Sequence, residues 1–115
     1  MAANWTECAI KAIDKVTKHP AAGLFLNPVE AGTDTDRDYY SIIKNPKDFA
    51  TIRSSIEAGQ YNNINQVIDD VELIWKNASF FNGEKSDVTT LAYQCYQMFL
   101  KHIRDYNLLP INLWC

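Results

Sequence analysis

Apolar residues recur three and four positions apart along most of this chain. From Ile64 to Ala78, the side chains of Ile64, Val67, Ile68, Val71, Ile74, Trp75 and Ala78 keep the spacing of one buried helical stripe. The pattern predicts a helix that starts after Asn63 and ends near Phe81. Asn63 suits its N-cap, with Gln66 at the reciprocal capping-box position. Asn82-Gly83 then breaks the period, since both residues tolerate left-handed backbone angles. Ser86, able to accept an early backbone N–H, and Asp87, placed against the positive end of a helix dipole, open the next helix. Val88, Leu91, Ala92, Cys95, Phe99, Ile103 and Tyr106 trace its apolar face.

Two earlier helices follow the same logic. Asn4 with Glu7 resembles a capping box, and Trp5, Ala9, Ala12, Ile13 and Val16 keep helical spacing to about Lys18, where His19-Pro20 stops the helix. Asp48 is a plausible N-cap ahead of Phe49, Ile52 and Ile56, and Gly59 ends that helix. Between them, His19 to Pro46 has no sustained period, yet it carries Leu24, Phe25, Leu26, Val29, Tyr39, Tyr40, Ile42 and Ile43. This stretch is too apolar for a disordered linker, so it is expected to pack on the bundle, with one short helical turn at Tyr39–Ile43. Four helices and no convincing strand predict an all-α bundle.

Length and charge narrow the function. With 115 residues, 47% of them apolar and 22% charged, the chain is expected to form one domain around a real core. A net charge of −3 argues against phosphate-backbone binding, so direct nucleic-acid contact is not expected. Cys8, Cys95 and Cys115 are odd in number and have no CxxC spacing, which fits a reducing compartment and neither a disulfide framework nor a zinc site. No apolar run approaches a membrane span, and no secretory leader is read at the N-terminus. Neither a phosphate-cradling glycine loop nor an HExxH motif occurs, so no metal or cofactor is expected. Pairing His19 or His102 with Cys8 or Cys95 as a hydrolase dyad has residue type behind it but no spacing, and Cys95 reads better as a small core hydrophobe.

The stretch WKNASFFNGEKSDV, from Trp75 to Val88, sets Asn82 at a helix–helix corner behind Phe80 and Phe81. Locally, Asn82 could be a plain helix terminator, or a carboxamide offering donors at the mouth of an apolar bundle. Four blocks decide for the second reading: KHPAAGLFLNPV (18–29), DYYSIIKNPKDFATI (38–52), EAGQY (57–61) and NASFFN (77–82). In this order and spacing they resemble the bromodomains, left-handed four-helix bundles that read acetyl-lysine. The resemblance runs from about Ile10 to Ile103. It implies that Asn82 anchors acetyl-lysine, that Tyr39 holds a bridging water, that Val88 is the gatekeeper, and that Val29 and Phe25 wall the pocket. Phe81, Leu24, Asp34 and Asp36 complete the expected site, and Tyr40 is assigned a structural part.

The sequence also departs from the family pattern. The usual Trp-Pro-Phe shelf reads Gly23-Leu24-Phe25, and the usual Pro-Met-Asp reads Pro46-Lys47-Asp48. Asp34 and Asp36 stand where the best-known members often carry leucine, so the rim is expected to be wetter and more acidic. The resemblance implies acetylated histone tails or other acetylated proteins as partners, a nuclear setting and a monomeric domain. An alternative is a bundle that has lost acetyl-lysine binding and serves as an interaction scaffold.

The acidic run Glu30, Asp34, Asp36 and Asp38, opposed locally only by Arg37, generates one expectation. Each exposed pair with a basic peptide residue contributes roughly a few tenths of a kcal/mol and is screened by salt. Added salt should therefore weaken binding of an acetylated basic peptide more in the wild type than in an Asp34→Asn/Asp36→Asn variant. Equal salt slopes in a titration would leave the run as a solvated face.

Overall fold

The computed structural model describes residues 4–28 and 39–108. Among them lie four α-helices of nine residues or more: α1 (Trp5–Thr17), α2 (Phe49–Glu57), α3 (Ile64–Asn82) and α4 (Asp87–Asp105). No strand occurs among the described residues. Each helix begins where a short polar side chain can take an orphan backbone N–H. Asn4 accepts from Thr6, Asp48 from Thr51, Asn63 from Gln66, and Ser86 from Val88 and Thr89.

Two capping details differ from the sequence reading. Asn4 takes both the backbone N–H and the hydroxyl of Thr6 (3.0 and 2.7 Å), so its partner is Thr6 rather than Glu7. Gln66 does reach back, but its carbonyl accepts from the N–H of Asn62 (2.6 Å), one residue before the cap.

The core is the shared interior of the four helices. Ile13, Val16, Phe49, Ile52, Val67, Val71, Cys95, Phe99 and Ile103 are all under 2% exposed. Trp75 is a correction. Sequence spacing places it in the core, but it is half-buried at the edge of the stripe, stacked on Tyr96 (5.7 Å between centroids) and tilted against Tyr93 (4.8 Å). A periodic pattern gives the direction of a buried face but not its width, and position 75 falls on the margin. On the opposite flank, Arg53 grips Asp14 with two hydrogen bonds (2.8 and 3.1 Å) and joins α2 to α1. That guanidinium holds the Asp14 carboxyl below the usual carboxylate range.

The described part of the connection after α1 is more ordered than its lack of period suggests. Pro20–Phe25 form a 3₁₀ helix, whose φ is preset by Pro20 and whose first free N–H, from Ala21, donates to His19 Nδ1 (3.1 Å). Its exit is fixed by Ala50 N–H donating to the Leu26 carbonyl (3.0 Å). Residues 39–42 form the expected helical turn, closed by Ile43 N–H to the Tyr39 carbonyl (2.7 Å). Ile43 is buried. Two residues on, the Asn45 carbonyl accepts from the buried Asn77 side chain of α3 at 3.0 Å. This bond ties the segment to the helix that carries Asn82.

Removing that donor leaves a part-buried carbonyl unsatisfied, at a cost of about 1–3 kcal/mol. Asn77→Ala should therefore lower the melting temperature by several degrees, whereas Asn65→Ala, exposed on the same helix, should leave it nearly unchanged. Circular-dichroism melts check this, and indistinguishable curves would remove the tether from the account.

Candidate functional site

One end of the bundle holds a cavity of about 450 Å³. Its walls come from four parts of the chain: Leu24, Phe25, Asn27 and Pro28; Tyr39 and Tyr40; Pro46, Lys47, Asp48 and Thr51; and the facing ends of α3 and α4, namely Ile74, Ala78, Phe81, Asn82 and Val88. Ile74, Ala78 and Asn82 are four residues apart and so share one face of α3. Ile74 and Ala78 are buried while Asn82 is exposed, so the helix runs from the inner end of the cavity to its mouth.

Asn82 is the last residue of α3 and keeps its helical conformation. The left-handed turn falls entirely on Gly83, with φ 95°. The helix thus continues one residue beyond the expected end, and the Asn82 amide stays on the helical face. Its Nδ2 donates to the Ala78 carbonyl one turn back (3.2 Å). A carboxamide has two N–H donors and a carbonyl acceptor, so one N–H and the oxygen remain without a partner among the described residues. The chain then turns through Gly83 to Ser86, held by the Thr89 hydroxyl donating to the Gly83 carbonyl (2.7 Å) and by the Ser86 cap. This turn sets Val88 across from Asn82 on the cavity wall.

Tyr39 is half-buried and packs edge-on against Phe81 (5.1 Å between centroids) and Tyr40 (5.3 Å). Such edge contacts hold the ring with little conformational freedom. Burial pushes the Tyr39 phenol up, with Tyr40 and Asp48 adding to the shift, so it stays neutral and able to donate. Its hydroxyl has no partner among the described residues.

Charge in the wall is already committed. Asp48 is buried, and its two oxygens accept the Thr51 N–H (2.9 Å) and hydroxyl (2.7 Å). Lys47 is ion-paired with Asp70 at 3.4 Å, and Asp70 also accepts from the Tyr61 hydroxyl at 2.6 Å. A ligand in this cavity meets an apolar, aromatic slot with a free amide donor at Asn82 and a free phenol at Tyr39 among the described residues, and with the ion-paired Lys47 in its wall.

Of the residues expected from sequence, Asn82, Tyr39, Val88, Phe25, Phe81 and Leu24 meet at this cavity. Val29, Asp34 and Asp36 lie outside the described residues, as do Glu30, Arg37 and Asp38. Tyr40, assigned a structural part, is 38% exposed and also lines the cavity. Sequence reasoning missed the inner wall of Ile74 and Ala78, although the four-residue step back from Asn82 was there to find. Gly23, where the shelf is missing, is exposed, and a Cβ at this position would meet no atom within 4 Å. Cys95 lies in the core rather than at the cavity, and burial pushes its thiol up to about 11, far from a reactive thiolate. Among the described residues no group of His, Cys, Asp and Glu could hold a metal ion.

The bromodomain family model matches residues 10–94. Similar proteins include transcription factor GTE1 of Arabidopsis thaliana, 35% identical over 85 residues that make up 74% of this chain and 22% of that protein. Bromodomain-containing factor 1 of Candida albicans is 33% identical over 92 residues, 80% of this chain and 13% of that one. The match therefore spans less than a quarter of either relative. Among solved structures, PP-BRD20 from Tb427tmp complexed with BI-2536 aligns with a TM-score of 0.83 at 30% identity, covering 90% of each chain. The second bromodomain of Candida albicans Bdf1, bound to an imidazopyridine, aligns with a TM-score of 0.77 at 28% identity, covering 89% of this chain and 99% of that one. The helices are accordingly those of a left-handed four-helix bundle. With the family model covering most of its length, the chain belongs to the bromodomain family, whose members are acetyl-lysine-binding modules rather than catalysts.

Proposed function

We propose that this protein reads acetyl-lysine in the cavity at the α3–α4 corner, with Asn82 as the direct anchor and Tyr39 as the partner that acts through a bound water. The observation that carries this reading is the Asn82 amide, which commits one N–H to the Ala78 carbonyl and keeps the other for a ligand at an apolar cavity. Acetyl-lysine is a neutral amide on a four-carbon stem. Its carbonyl can accept from Asn82 while the same oxygen is bridged by water to the Tyr39 hydroxyl. Phe25, Phe81 and Val88 line the slot for the stem and methyl group.

Unmodified lysine is rejected by desolvation. Its ammonium would have to leave water for a slot whose buried carboxylate, Asp48, is already bonded to Thr51. Longer-range charge from the acidic segment around Asp34 and Asp36 would add to the attraction for basic tails. The side chain alone offers few heavy atoms, and at about 0.3 kcal/mol each they give binding only in the range of tens of millimolar. The rest must come from flanking peptide. Acetylated histone tails, or other acetylated proteins of comparable charge, are the partners of choice. The relatives named as transcription factors support a chromatin setting in the nucleus.

Asn82→Ala removes the one direct hydrogen bond in the slot, a loss of about 1–3 kcal/mol or roughly 5- to 150-fold in Kd. Titration of the wild type should show binding to an acetylated histone-tail peptide and none to its unmodified twin, and the variant should lose the distinction while melting as before. Wild-type affinity in the variant would refute the site. Equal wild-type affinity for the two peptides would favour a scaffold that has lost acetyl-lysine binding.

A further inference from the structure

A cavity of about 450 Å³ has more room than an acetyl group fills. Ala78 and Ile74 lie one and two turns inward from Asn82, roughly 6 and 12 Å along α3. The Asn82 amide itself leans back onto the Ala78 carbonyl. A carbonyl accepted there sits over that turn, and any longer acyl tail would run on toward Ile74, which is buried. Lys47 also lines the cavity, and its ammonium pairs with Asp70, one further turn along α3 from Ile74.

A lysine ammonium carries three donors. One faces Asp70 Oδ2, which also accepts from the Tyr61 hydroxyl, and the remaining donors have no partner among the described residues. The side chains of Lys47 and Asp70 are 24% and 22% exposed, so the pair is only partly solvated. A short acetyl group leaves room for water beside the ammonium. A plain hydrocarbon tail displaces that water and offers no acceptor in return, which is costly for a charged donor. A tail that ends in a hydroxyl can take the place of the water.

Resting on the reader function proposed above, we propose that Lys47 is a specificity-determining residue. It makes the site favour acetyl-lysine, tolerate acyl-lysines with a hydroxylated tail, and discriminate against acyl-lysines with a longer hydrocarbon tail. Neither sterics nor Asn82 alone would produce that order.

The test uses one peptide sequence carrying acetyl-, butyryl- or 3-hydroxybutyryl-lysine at a single position, titrated calorimetrically against the wild type and Lys47→Met. In the wild type, acetyl should exceed butyryl by roughly tenfold, the cost of one unpaired polar contact, with 3-hydroxybutyryl between them. Lys47→Met keeps most of the length of the side chain and removes its charge. It should shrink the acetyl-to-butyryl ratio by at least about fivefold and erase the advantage of the hydroxyl. The wild-type comparison of butyryl with 3-hydroxybutyryl requires no variant. Equal affinity for those two, or a ratio unmoved by Lys47→Met, overturns the inference while leaving the acetyl-lysine reader intact. A wild type that does not distinguish acetylated from unmodified peptide overturns the reader, and this inference with it.

Discussion

The side-chain hydrogen bond from Asn77 on α3 to the Asn45 carbonyl ties the segment before α2 to the helix that ends in Asn82. The two residues are 32 positions apart, so the bond closes a long loop. Neighbouring contacts depend on the position it sets: Tyr39 edge-on to Phe81, Ile43 in the core, and Pro46, Lys47 and Asp48 along the cavity wall. Apolar packing alone would draw this segment onto the bundle without fixing where. A buried amide with one available acceptor supplies direction, because the alternative is an unsatisfied polar group.

The free donors follow from the same constraint. Buried polar groups elsewhere are matched: Asp48 by Thr51, Thr89 by the Gly83 carbonyl, Asn77 by Asn45. Among the described residues, the Asn82 amide and the Tyr39 hydroxyl keep capacity in hand at the mouth of an apolar cavity. Groups that could bond and do not are where a ligand of matching chemistry gains most, and a neutral amide such as acetyl-lysine has that chemistry.

The helices were legible because burial writes its period into the chain, and all four N-caps took the polar residues chosen for them. Of the described residues of the expected site, Leu24, Phe25, Tyr39, Phe81 and Asn82 fall within the family blocks, and Val88 follows them just past the Asn82 corner. What stayed hidden has no local signal. The 3₁₀ turn at Pro20–Phe25 is too short to show a period. Tyr39 and Tyr40 are neighbours on a helical turn, so residue type cannot say which faces the core, and both reach the cavity. The Lys47–Asp70 pair joins residues from separate elements, and neither position announces the other. Trp75 shows that helical spacing indicates a face more reliably than its edge.

The most direct measurement is a crystal structure of this chain with a peptide carrying one acetyl-lysine. The acetyl oxygen is expected about 2.9–3.0 Å from Asn82 Nδ2, the ordinary N–H···O distance, with a water joining it to the Tyr39 hydroxyl. A peptide seated elsewhere on the bundle, or an acetyl group in the cavity without that contact, would contradict the assignment of Asn82.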